Sequence, residues 1–416
     1  MENIPAEVVA LILEIVPDIR SLWALVRASP HVHRIFRDEY REHILHIIIA
    51  REIGPILMGE ALAALRSSRF TSTQKVNGED VEVPIRGLPK TEALEWTESY
   101  QDVINVANVS PPPEDMLLLW ELHKDVKVMA DLFVQETLPI FLQMMKGIGE
   151  PETELAICTL EDYSTIEKQR LFRAIYRFVI FGNLFAPSST DVCDDEDLCE
   201  YFLCRFTIWQ VEEISCINDF IRNKILLKWQ EMEDNEFKRL AADPELWAAD
   251  PRPNPPTSRW RADFFSKESK SRHFKDMQAN FATLSIKDLV AVFEAKDVLL
   301  EELVKTRTSA YQGARSPFLD AALDVDPGAI PIVIGGVEYE FRGEVECPVE
   351  DMLAFEGDDL ASANRSWFWA NKSSLGDMYV SPSSPKWESD RAFEGFRRFG
   401  YVFLDYSRVE NWRRGE

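Results

Sequence analysis

Ile4-Pro5-Ala6-Glu7-Val8-Val9-Ala10-Leu11-Ile12-Leu13-Glu14-Ile15-Val16-Pro17-Asp18-Ile19 places an unbroken apolar helical pattern between two prolines. Pro5 suits the first helical position, where its missing N–H costs nothing, and Glu7 falls in the first turn, where the helix dipole favours an acid. Val8, Leu11, Ile12 and Ile15 recur at helical spacing and give one apolar face. Pro17 cannot continue that helix, so the chain turns, and Asp18 or Ser21 caps the next one. Leu22, Leu25 and Val26 make the inner face of this second helix. Ser29-Pro30 is a cap followed by a first-turn proline. It opens a third helix with Val32, Ile35, Phe36, Tyr40, Ile44 and Ile47 on one side. Helices this short cannot bury all these side chains among themselves. A partner, or the chain that follows, covers the remainder.

The order of Pro5, Glu7, Pro17, Leu22, Leu25 and Arg27 between Met1 and Phe36 resembles an F-box. That module joins a protein to the Skp adaptor of cullin–RING ubiquitin ligases. Where the family often carries a tryptophan near the start of the third helix, Val32 and His33 stand here. The resemblance implies that Ile4, Pro5, Val8, Val9, Ile12, Val16, Pro17, Leu22, Leu25 and Val26 face the adaptor or shape the motif. At the opposite end, Arg397-Arg398-Phe399-Gly400-Tyr401-Val402-Phe403-Leu404-Asp405 resembles the ending of many fungal F-box-like proteins, which often have Trp where Leu404 stands.

Composition bounds what else the chain does. Its 416 residues suffice for two to three domains, and 46% hydrophobic with 28% charged residues mark a soluble globular chain. With 46 basic against 71 acidic side chains the net charge is -25, which repels phosphate backbones and anionic lipid. Neither nucleic acid nor membrane is an expected partner. The charge is uneven. Between Ile19 and Arg37 there are four arginines (20, 27, 34, 37) and no acid, and four of the six histidines lie between 31 and 46. A solvated helix face accounts for such a run; it would also complement an acidic adaptor. The first residues lack the basic and apolar pattern of a signal peptide, and the greasiest stretches, 44–49 and 175–186, are charged or too short to span a bilayer. Scattered cysteines suit a reducing compartment, so the expected location is cytoplasmic or nuclear. Cys193, Cys199, Cys204 and Cys216 lack zinc-ribbon spacing and read as buried thiols.

The body, 51–310, reads as irregular helix. A short helix is expected over 55–65, a polar stretch with a strand or linker at Val81-Glu82-Val83, then helices over 91–108, 113–146, 164–186 and 196–242. Five prolines between 244 and 256 mark a linker, and 262–283 and 285–305 read as helical again. No repeat of fixed period is present. After Arg315 the texture changes. Ile330-Pro331-Ile332-Val333-Ile334, Gly335-Gly336 and the alternating Val337–Arg342 carry a hairpin signal, and residues 367–416 hold twelve of the 46 aromatics. These aromatics are read as core or as packing onto the helical body; the competing reading is a rigid surface for a partner.

The expected fold is therefore mainly α: a three-helix F-box over 1–50, an irregular helical body over 51–310, and a small aromatic-rich α+β module with a β-hairpin over 311–416. No nucleophile elbow, zinc-protease helix, P-loop or dinucleotide glycine motif is present. Asp324-x-Asp326-x-Gly328 lacks the remaining ligands of a calcium loop, and Asp194–Asp197 reads as a helix start or solvated turn. His123 and His273 are isolated and read as structural. No catalytic, cofactor or metal site is expected. The function expected is a non-catalytic substrate receptor that binds a Skp adaptor through 1–50 and a protein target through the body. The alternative is an F-box-like scaffold outside any ligase, and exposure of the Val8/Ile12 face separates the two.

Overall fold

Pro5 stands immediately before helix α1 (Ala6–Glu14) rather than inside it, and its carbonyl accepts from the Val8 and Val9 amides, both at 3.1 Å. These coordinates are a computed structural model that describes residues 4–68, 72–73, 84–85, 90–106, 111–146, 157–185, 197–198, 201–206, 208–242, 281–294, 332–334, 337–339, 364–367, 370 and 396–410. Asp18 caps α2 (Ile19–Ala28): its carboxylate accepts from the Ser21 amide at 2.8 Å, and that bond holds it below the usual carboxylate range. Ser29 caps α3 (Pro30–Ile35), with Pro30 in the first turn as expected. The single third helix read from the sequence is interrupted by a π-helical turn at Phe36–Tyr40 before α4 (Arg41–Ile53) resumes. Gly54, at φ +82°, closes α4 in a conformation that a side chain would strain.

Arg51 ties this group together. From α4 its guanidinium donates to the carbonyls of Glu14 and Val16, each at 2.8 Å, satisfying the C-terminal end of α1 with a cation where the helix dipole favours one.

The remainder of the described chain is mainly helical: α5 (Met58–Ser67), α6 (Lys90–Val106), α7 (Pro113–Lys146), α8 (Thr165–Leu184), α9 (Ile208–Ala242) and α10 (Ile286–Glu294). The bounds of α7 are those expected. Helix α9 starts later than expected, because residues 201–206 form a turn around a short 3-10 segment, Leu203–Arg205. Short strands pair antiparallel at Ser72–Thr73 with Pro84–Ile85, and at Ile332–Ile334 with Val337–Tyr339. Residues 81–83, the proline-rich 244–256 and most of 262–283 lie outside the described residues.

Helix α8 is the axis of the body. It packs against α5, α7 and α9, while α7 also receives α4 and α10. Ser164 and Glu167 form a capping box at its start, the Glu167 amide donating to Ser164 Oγ at 3.1 Å and the Ser164 amide to Glu167 Oε2 at 2.8 Å. Beyond that turn its apolar residues point in every direction, the mark of a helix enclosed on all sides. Three arginines are buried with them, and each is met by a carboxylate from a different element. Arg170 meets Asp405 at 3.2 Å, Arg173 meets Glu213 of α9 at 2.7 Å, and Arg177 meets Glu60 of α5 at 2.7 Å. The Tyr100 hydroxyl of α6 also donates to Glu60, and Arg177 stacks on Phe206 with its guanidinium 4.4 Å from the ring centroid. Phe181, Phe185, Phe202 and Phe206 complete an aromatic cluster beside it.

Segment 396–410 enters this core. Phe399, Tyr401, Val402, Phe403, Leu404 and Val409 are buried, with Tyr401–Phe403 in a 3-10 turn and Tyr406–Val409 in α11. The aromatics described here are thus core, as read from the sequence; Phe368, Trp369, Trp387, Phe393 and Trp412 lie outside the described residues. The buried side chains form one continuous cluster running from Val9 to Val409.

His123 of α7 is structural. It is buried, stacks against Tyr176, and its Nδ1 lies 2.6 Å from the Tyr176 hydroxyl. Burial, with a smaller push from Lys127, lowers its pKa to about 3. The sign follows from proton counting. Below about pH 6.5 the unfolded chain gains a proton here that the folded chain refuses, so stability falls with pH until about pH 3. We expect a slope of about 1.4 kcal/mol per pH unit from this residue, measured by urea unfolding between pH 6 and 4. His123→Gln should remove that share of the slope; an unchanged slope would contradict the assignment.

Candidate partner-docking surface

Both sides of α1 are apolar, and the structure chooses between them. Val9, Ala10, Leu13 and Val16 are buried against the helices that follow. Val8, Leu11 and Ile15 are 44%, 60% and 75% exposed, and Ile12 is half-buried beside them. Residues 8, 11, 12 and 15 lie on one helix face, so they form a continuous outward stripe. Removing the exposed parts of Val8, Leu11 and Ile15 from water is worth about 3–5 kcal/mol. That is substantial for an encounter, but a specific interface needs roughly 800 Å² on each side, so neighbouring surface must take part.

The residues implied by the F-box resemblance divide accordingly. Pro5, Val8 and Pro17 are exposed, and Ile4, Ile12 and Leu25 are half-buried. Val9, Val16, Leu22 and Val26 are buried in the core and present nothing to a partner. Ile4 is anchored by its carbonyl, 3.1 Å from His31 Nε2. Leu11 and Ile15 were absent from that set, although both carry the outward stripe. Their 3–4 spacing with Val8 was the available signal.

The helices after α1 expose several basic side chains. Arg20 and Arg27 are exposed on α2, His33 and Arg34 on α3, and Arg37 in the π turn. Arg37 pairs with its neighbour Asp38 at 2.6 Å, and Arg34 lies 3.3 Å from His31 Nδ1. The arginine run of the sequence is therefore a solvated face.

Among the described residues no group of three or more His, Cys, Asp or Glu side chains is placed to hold a metal ion, and no helix is long and apolar enough to cross a membrane. Cys158 and Cys216 are buried free thiols; burial pushes both up, and Glu212 adds to the effect at Cys216. Cys193 and Cys199 lie outside the described residues. Asn364 and Ser366 are buried. Asn364 donates to the Val402 carbonyl and Ser366 to the Leu404 carbonyl, both at 2.7 Å. Comparison with protein-family models, curated proteins and solved structures finds no match to this chain.

Proposed function

We propose that this chain is an F-box-type substrate receptor. Residues 1–50 bind a Skp adaptor, and the helical body carries a protein target for ubiquitin transfer by other subunits. The observation that carries the reading is the outward stripe Val8-Leu11-Ile15 on a helix whose opposite side is locked into the core. A free, fully packed domain has no internal use for such a stripe. The arginines at 20, 27, 34 and 37 favour an acidic adaptor surface, steering the encounter in a salt-dependent manner. The receptor has no chemistry of its own; it contributes by holding the target in place.

The test is co-purification of the full chain with a Skp adaptor, alongside a Val8→Asp/Leu11→Asp variant. Both positions face solvent, so folding is retained. Each charge would sit in the middle of an apolar interface, and we expect capture to fall at least about 100-fold. Capture should also weaken between 50 and 500 mM salt. A change at Leu22 is unsuitable here, because that side chain is buried and an aspartate there would test folding. Undiminished capture by the double variant would sink the docking assignment.

A second reading is favoured by the unbroken core from Val9 to Val409. In it, the N-terminal helices are a permanent part of a scaffold that works outside any ligase. Absence of capture by the folded, unsubstituted chain would select it.

A further inference from the structure

Segment 396–410 is held as a ligand is held, by side chains matched to its own. Arg397 forms a fork on Glu212, with Nε and Nη2 at 2.9 and 2.7 Å from its two carboxylate oxygens, and its Nη1 reaches Asp219 at 3.2 Å. The Tyr401 hydroxyl donates to the same Glu212 at 3.2 Å. Arg170 donates to the carbonyls of Phe403 and Leu404 and to the Asp405 carboxylate. The Asp405 amide donates to Glu167 at 2.8 Å, and Arg408 lies 2.8 Å from that same carboxylate. Between these polar anchors Phe399 and Phe403 pack on Phe141 and Phe133 of α7. Arg398 points the other way, into solvent.

We infer that α7, α8 and α9 form a peptide-recognition cleft whose occupant is the chain's own 396–410 segment, selected by side chain and able to stay bound once its covalent connection is cut. The inference is independent of adaptor binding. Its polar contacts are charge-assisted, the one between Arg397 and Glu212 is bidentate, and the body's Glu167, Arg170 and Glu212 are buried. The adjacent pair Arg397 and Arg398 supplies an internal control, since the two substitutions change the same charge in the same segment.

The test inserts a protease recognition sequence between Ser383 and Ser384 of the full chain, cleaves after folding, and separates the products by native gel filtration. Retention of the downstream fragment is expected in the unsubstituted and Arg398→Glu proteins. Arg397→Glu should lower retention at least about tenfold, because it sets a third carboxylate against Glu212 and Asp219. Separation of the unsubstituted fragments, or equal retention by the Arg397→Glu protein, would overturn the inference. If the insertion prevents folding, the uncut natural chain decides. A fall in urea midpoint confined to Arg397→Glu supports the cleft, and equal midpoints for the two variants reject it.

Discussion

Arg173→Met is expected to lower the unfolding free energy by about 3–5 kcal/mol, read as a shift of the urea midpoint at unchanged slope. The guanidinium and the Glu213 carboxylate are both buried, with Nη2 at 2.7 and 2.8 Å and Nε at 3.2 Å from its oxygens. Burial lowers the pKa of Arg173 and Glu213 raises it, but an arginine starts so high that it stays charged. Removing it leaves a carboxylate in the core without its counter-charge, and most of the loss is that desolvated charge rather than the bond itself. Arg173→Met combined with Glu213→Leu should therefore recover most of the loss. If the single variant were nearly neutral, or the double variant were worse than the single, the pair would not be the enclosed ion pair described.

Gly400→Ala is the second large effect, at about 2–4 kcal/mol from two independent sources. The backbone at Gly400 has φ +65°, where any side chain is strained. A Cβ built there would also sit 2.7 and 2.8 Å from ring carbons of Phe133. That ring cannot retreat, because Phe220 and Phe403 each meet it edge-on at about 5 Å between centroids. A thermal melt of the full chain checks the prediction. A variant that melted with the unsubstituted protein would mean that the segment does not occupy this position.

Much of the helical order was legible because its signals are local. Asp18 and Ser29 cap where their residue types suggested, and the start of α7 follows from Pro113 and its first-turn acids. What periodicity did not convey is which way α1 faces. Val9, Leu13 and Val16 recur as regularly as Val8, Leu11 and Ile15, and only the placement of α3 and α4 decides which set is covered. Arg170, Arg173 and Arg177 were illegible for a different reason. Charges in a helix ordinarily mark a wet face, and the carboxylates that reverse this reading lie far away in sequence, Glu60 and Asp405 among them. The closing segment was recognisable as a pattern, but its partners on α8 and α9 were not.

The distance between α8 and that segment bears on how the protein is made. Arg170 and Asp405 are 235 positions apart, and a ribosome adding about 5–20 residues each second needs roughly 10–50 s to pass from one to the other. During that interval Glu167, Arg170 and the Phe133 ring lack the partners that segment 396–410 supplies. The order of synthesis thus leaves the contacts of α7 and α8 with segment 396–410 unmade until that segment has been translated.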